Sequence, residues 1–167
     1  GDVYKRQAVD TATESLAYYP VQVEKFLQRY EELVKVYGEA HVTSKWNAEE
    51  TEIANEFIKH ALAIREERAA AGREGRAPRI IDLLNSWGGS TVAYRRRMID
   101  SPSYTLNHEE IHKAMEEGIR FAECLGPQEV EVDQYGAASA LKLEKFAVNE
   151  EGKFAHTCLL YTSPSPR

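Results

Sequence analysis

The sequence predicts an α/β fold that carries a long helical block. Three observations support this. Apolar residues in the first half recur at three- and four-residue steps, the spacing of one helical face. The second half contains short β-type runs, two of them alternating apolar and polar residues around a turn. Helical and strand-like segments alternate in that half, which favours α/β over an all-helical chain.

Ala8 to Tyr19 contains no helix breaker until Pro20. Val23, Phe26, Leu27, Tyr30, Leu33, Val34 and Tyr37 then form an apolar stripe, with Gly38 where a helix C′ residue belongs. Asn47 and Glu50 have capping-box spacing and open a helix through Ile53, Phe57, Ile58, Ala61 and Leu62. That helix runs polar through Arg65 to Arg68 and ends near Gly72 or Gly75. A shorter helix follows Pro78 and stops at Gly88-Gly89. Thr91 to Tyr94 reads as a strand, and an irregular stretch spans Arg97 to Leu106. Asn107 with Glu110 is a second capping box, on a helix that Gly118 ends. Ile119 to Ala122 reads as a strand. Val130 and Val132, a turn at Asp133 to Gly136, then Leu141 and Leu143, read as a hairpin.

The two ends read as translated sequencing adapter. The DNA GATGTGTATAAGAGACAG encodes Asp2 to Gln7, and its reverse complement, read one base in, encodes Cys158 to Ser163. The element is identified as the mosaic end of transposase library kits. Gly1 and Pro164 to Arg167 fit the adapter beyond it; the competing reading of Ser-Pro-Ser-Pro is a disordered tail. Scars of this kind are set aside in fold reasoning, so the expected native insert is Ala8 to Thr157, an interior piece of a longer protein.

The chain carries 21 Lys+Arg and 27 Asp+Glu, a net charge of −6. Leaving out Lys5, Arg6, Arg167 and Asp2 takes the balance from −6 to −8. That disfavours a general nucleic-acid binder, which needs a basic face. No apolar run approaches the length of a membrane span, so the expected partners include neither nucleic acid nor membrane, and the expected compartment is cytoplasmic. Within the insert Cys124 stands alone, which excludes a disulfide framework and a cysteine-rich metal site; its expected role is that of a small buried hydrophobe. Trp46 and Trp87 are expected to pack within the helical block.

Tyr94-Arg95-Arg96-Arg97 lies at the C-terminal end of the first strand. In a dinucleotide-binding βαβ unit, that end meets the adenine ribose. Arginine there pairs with the additional 2′-phosphate of NADP through charge-assisted, often bidentate, hydrogen bonds. Taken alone, three arginines are more often a solvated surface. His108-Glu109-Glu110-Ile111-His112 matches the zinc-peptidase pattern H-E-x-x-H. Its first histidine falls at the first helical position and no third ligand is evident, so a zinc metallopeptidase is the remote alternative and no metal site is expected.

Ala8, Asp10, Tyr94-Arg95-Arg96, Pro102, Glu109-Glu110, Ala114 and Glu116-Glu117-Gly118-Ile119 occur in an order and spacing that resembles the small subunit of glutamate synthase and its flavin-dependent relatives. These are FAD-dependent NAD(P)H oxidoreductases of the pyridine nucleotide-disulfide oxidoreductase type. The resemblance covers Ala8 to Leu16 and Thr91 to Phe146. It implies a partial Rossmann-type NAD(P)H-binding domain with a long α-helical insertion. Residues 8–19 would be its first helix, 20–89 the insertion and 90–157 the remainder, with 1–7 and 158–167 adapter-derived. It implies Arg95 and Arg96 as ligands of NADP(H), with Arg97, Tyr94 and Asp10 as further cofactor-binding candidates. Asp10 would either organise a glycine-rich loop or favour the positive end of the helix. The family's glycine-rich loop would lie just before Ala8, where the adapter begins. The resemblance also implies FAD, and iron–sulfur centres in some relatives, in the rest of the parent chain, and an electron-acceptor subunit as partner. The piece alone is expected to be inactive. The competing class is a non-catalytic helical interaction module based on Pro20 to Trp87.

Overall fold

The computed structural model describes residues 2–100, 108–148 and 154–164. The elements in chain order are α1 (Asp2–Tyr37), α2 (Glu39–Thr43), α3 (Ala48–Glu74), α4 (Ile80–Ser86), β1 (Thr91–Tyr94), a 3₁₀ turn (Met98–Asp100), α5 (His108–Glu116), β2 (Arg120–Glu123), β3 (Leu125–Val132), β4 (Ala138–Val148) and β5 (Phe154–Pro164). The chain divides into two compact units. One is Leu16–Leu84; the other combines Gly1–Ser15 with Asn85–Arg167.

The Leu16–Leu84 unit is helical. Leu16, Val23 and Leu27 are buried on α1, and Ala54, His60, Ala61, Ile64 and Ala71 on α3. The apolar contact is extended by rings at its edge: Phe26 and Tyr19 each meet Phe57 edge-on, at 5.7 and 6.1 Å between centroids. Trp46 packs on Tyr30 at 5.8 Å. Outside the apolar contact, Arg65 grips Glu31 with two hydrogen bonds of 2.8 and 3.0 Å, and Arg68 pairs with Glu24 at 3.0 Å. Exposed pairs of this kind contribute little each; they let the polar run Arg65–Arg68 continue the helix between Ile64 and Ala71. The Asn47–Glu50 capping box is present in full, with both hydrogen bonds at 2.8 Å.

Two expectations in this unit are corrected. Pro20 does not end the first helix: α1 runs through it to Tyr37, and only then does Gly38, at φ 81°, break the spiral. Proline removes one helical N–H, but Pro20 is buried between the buried residues Leu16 and Val23, so packing on both sides holds the helix. The inward face of α3 is also rotated from the expected one. Small residues at Ala54, Ala61 and Ala71 face inward with Ile64, whereas Ile53 and Leu62 are 38% and 46% exposed.

In the other unit, β1 and β2 pair in parallel, from Thr91 opposite Arg120 to Tyr94 opposite Glu123. Parallel strands need a crossover, and α5 lies within it, with Ala114 and Ile119 buried. At Cys124 the backbone turns left-handed, at φ 59°, and the chain leaves the parallel pair for a second sheet. There β3, β4 and β5 form an antiparallel sheet in that order. The β3–β4 turn closes on Asp133, whose Oδ1 accepts hydrogen bonds from the amides of Tyr135 and Ala137 at 2.8 and 3.0 Å. This is the side-chain-mimicked turn that aspartate favours.

The expected fold class, an α/β Rossmann-type domain, is overturned. The described residues are mostly helical, and the strands form a two-stranded parallel sheet and a separate three-stranded antiparallel one. A doubly wound sheet needs successive parallel strands, each followed by its own crossover. After β2 this chain instead returns by a hairpin. Residues read above as adapter take part in regular structure: α1 includes Asp2 to Gln7, and β5 includes Cys158 to Pro164. Helix propagation adds one bond per residue once nucleated, and an open strand edge such as that of β4 pairs with extended backbone largely irrespective of side chains.

Candidate anion-binding site

Arg95 and Arg96 follow directly on β1, at its C-terminal end. Both are exposed, and both line a cleft of about 530 Å³ with Gly126, Pro127, Gln128, Glu144 and Phe146. Backbone hydrogen bonds fix this corner. The Cys124 amide donates to the Arg96 carbonyl at 3.3 Å, and the Phe146 amide donates to the Cys124 carbonyl at 2.7 Å. The bend at Cys124 therefore ties the end of β1 to β4. The Met98 amide donates to the Glu123 carboxylate at 2.6 Å, which closes the turn after the arginines.

Part of the lining depends on a glycine. Gly126 is buried, and a Cβ there would stand 2.8 Å from Cε2 of Phe146 and 4.0 Å from Cγ of Arg95. The missing side chain is what lets the Phe146 ring approach the β3 backbone, while the stem of Arg95 stays at ordinary contact distance. Gln128 Nε2 donates to Oε2 of Glu144 across the β3–β4 ladder.

The site brings together only part of the expected set. Arg95 and Arg96 share the cleft. Arg97 does not: its guanidinium makes a two-pronged pair with Asp100, at 2.6 and 3.0 Å. That hydrogen bonding raises the Arg97 pKa and lowers that of Asp100, with Arg96 adding a weaker pull on Asp100. Tyr94 is half-buried as the last residue of β1, opposite Glu123. Asp10 is exposed in the interior of α1 rather than in its first turn, because the helix already begins at Asp2. It is remote from a helix end and does not line the cleft.

His108 and His112 are both exposed on α5, and His112 faces Glu116 at 3.4 Å. Among the described residues no three His, Cys, Asp or Glu side chains converge on a possible metal position. Asn107, the expected cap of this helix, lies outside the described residues. Cys124 is half-buried and free, at the bend and not in a core.

Gln128, Glu144 and Phe146 were not singled out from the sequence. One signal was present. Strand alternation puts Lys142, Glu144 and Phe146 on the same face, so an aromatic ring shares the charged side of β4.

No family model matches the chain. The chain is 36% identical over 135 residues to an uncharacterized protein of Rickettsia prowazekii (strain Madrid E), an alignment covering 81% of this chain. The chain spans 17% of that relative's length. No helix among the described residues is long and apolar enough to cross a membrane.

Proposed function

We propose that the β-containing unit binds NADP(H), with Arg95 and Arg96 holding the 2′-phosphate. The observation that supports this reading is the joint placement of the two arginines at the carboxyl end of a parallel strand, on the wall of a cleft of about 530 Å³. Two guanidinium forks match the geometry of a phosphate monoester. The cleft falls within the ~300–1,000 Å³ of small-molecule sites. The parent protein, in this reading, is a larger cytoplasmic flavin oxidoreductase related to the small subunit of glutamate synthase. NADP(H) supplies hydride to an FAD held in another part of the parent, and iron–sulfur centres and an acceptor subunit carry the electrons onward. Arg95 and Arg96 supply binding and orientation, not chemistry, so the chain alone binds nucleotide without turning it over.

Titration of the chain with NADPH and NADH, followed by nicotinamide fluorescence, tests the reading. The wild-type chain should prefer NADPH, and Arg95→Ala with Arg96→Ala should remove that preference. Equal loss for both nucleotides, or no binding of either, contradicts it. The second outcome would favour the helical interaction module.

A further inference from the structure

The stretch that carries the arginines leaves β1 after Tyr94 and belongs to no strand. A segment outside a ladder keeps its conformational freedom unless something ties it. Two guanidinium groups meet one phosphate at least cost when their backbone is already held.

Two ties come from consecutive residues at the end of β2. The Cys124 amide donates to the Arg96 carbonyl at 3.3 Å. Glu123 stands opposite Tyr94 in the β1–β2 register, and its Oε1 accepts from the Met98 amide at 2.6 Å. The backbone is therefore gripped on both sides of Arg97. The pair between Arg97 and Asp100 is three residues apart inside the turn, so it stiffens the turn without tying it to the sheet.

The tie from Cys124 is made by backbone and does not depend on a side chain. The tie from Glu123 does. A carboxylate that accepts from a backbone N–H makes one of the stronger hydrogen bonds. Glu123 is not part of the cleft lining. Its charge, next to the arginine run, would by itself disfavour an anion there. Its acceptor oxygen works the other way, because it holds the backbone from which the arginines project.

We propose that Glu123 is a positioning residue for the anion site: by fixing the Met98 amide it presets the backbone of Arg95 and Arg96 for the 2′-phosphate. It acts through the arginines and not on the ligand. The inference rests on the nucleotide reading above and adds to it a residue outside the cleft.

The charge and the acceptor of Glu123 predict opposite signs, and titrations of the wild-type chain, Glu123→Ala and Glu123→Gln with NADPH and NADH read them by nicotinamide fluorescence. Glu123→Ala should weaken NADPH about fivefold, the worth of one ordinary hydrogen bond. NADH, which has no 2′-phosphate, should be unchanged. Glu123→Gln keeps an oxygen that accepts from Met98 and should bind NADPH at least as tightly as the wild-type chain. Circular dichroism confirms that each variant is folded. Tighter NADPH binding by both variants means that charge alone matters and overturns the proposal. An equal loss in both variants, or a loss in Glu123→Ala shared by NADPH and NADH, overturns it too. A wild-type chain with no preference for NADPH overturns the nucleotide reading, and the positioning role with it. Hydrogen exchange at the Met98 amide, followed by NMR, tests the tie without any ligand. It should be faster in Glu123→Ala and not in Glu123→Gln, and an unchanged rate in Glu123→Ala overturns the positioning role while leaving the arginine reading intact.

Discussion

Replacing Gly126 by alanine tests the architecture of the cleft at a single methyl group. The new Cβ would lie 2.8 Å from Cε2 and 3.3 Å from Cζ of Phe146. Carbon atoms settle at about 3.5–4.0 Å, so the ring must retreat by roughly 0.7–1.2 Å. It cannot do so by carrying its strand along, because the Phe146 amide is bonded to the Cys124 carbonyl at 2.7 Å. The ring must leave its rotamer or the β3–β4 ladder must open. Gly126 is not among the glycines at positive φ, so backbone strain adds nothing and the effect is steric. Overpacking of this size costs about 1–3 kcal/mol. The assay is urea denaturation followed by Trp87 fluorescence in a Trp46→Phe background, since Trp87 lies in the β-containing unit and Trp46 in the helical one. Measured again with Phe146→Leu, most of the cost of the alanine should vanish, a coupling of about 1–2 kcal/mol between contacting residues. An equal cost in both backgrounds would refute the steric reasoning, and so would a neutral Gly126→Ala.

Three further outcomes are expected. Arg97→Ala should leave nucleotide affinity unchanged in fluorescence titrations, because that guanidinium is committed to Asp100 and lies outside the cleft; a loss matching that of Arg95→Ala would place it in the site. The helical unit should lose stability on mild acidification. Burial lowers the His60 pKa below 6.5, against a smaller upward pull from Glu56, and Tyr19 sits 2.6 Å from its Nδ1. As pH falls through 6.5, the unfolded chain takes up a proton that the folded site refuses. Stability is therefore full above that pH and declines below it, until the folded pKa is reached. Denaturation midpoints read from Trp46 fluorescence should show this slope, and His60→Gln should flatten it. Asn47→Ala removes one bond of the capping box at the start of α3 and should cost about 0.5–2 kcal/mol in the same assay, and Glu50→Ala, which removes the other bond from the residue-47 amide, should add to it.

Local chemistry was legible where one short stretch determines the outcome. The Asn47–Glu50 box, the Gly38 stop, the Thr91–Tyr94 strand and the hairpin around Asp133 each depend on a few neighbouring residues. The misreadings depend on partners distant in sequence. Pro20 breaks an isolated helix, but here it is buried within one. The buried face of α3 carries the small residues Ala54 and Ala61 rather than its largest apolar side chains, a choice made by what packs against it and not by the helix's own sequence. Strand-like residues after Ile119 were visible, but nothing local specifies that the chain pairs once in parallel and then turns at Cys124 into an antiparallel sheet. The same division holds for the cleft. Its arginines were legible as a cluster at a strand end. Gln128, Glu144 and Phe146 reach it through a ladder register and a bulge that the sequence does not reveal.

The central claim is that Arg95 and Arg96 hold the 2′-phosphate of a nucleotide, and a crystal structure of the chain with adenosine 2′,5′-bisphosphate tests it most directly. The expected density places a phosphate within hydrogen-bonding distance of both guanidinium groups, with Arg97 still paired to Asp100. A phosphate bound elsewhere, or a cleft with no density at saturating ligand, would contradict the account.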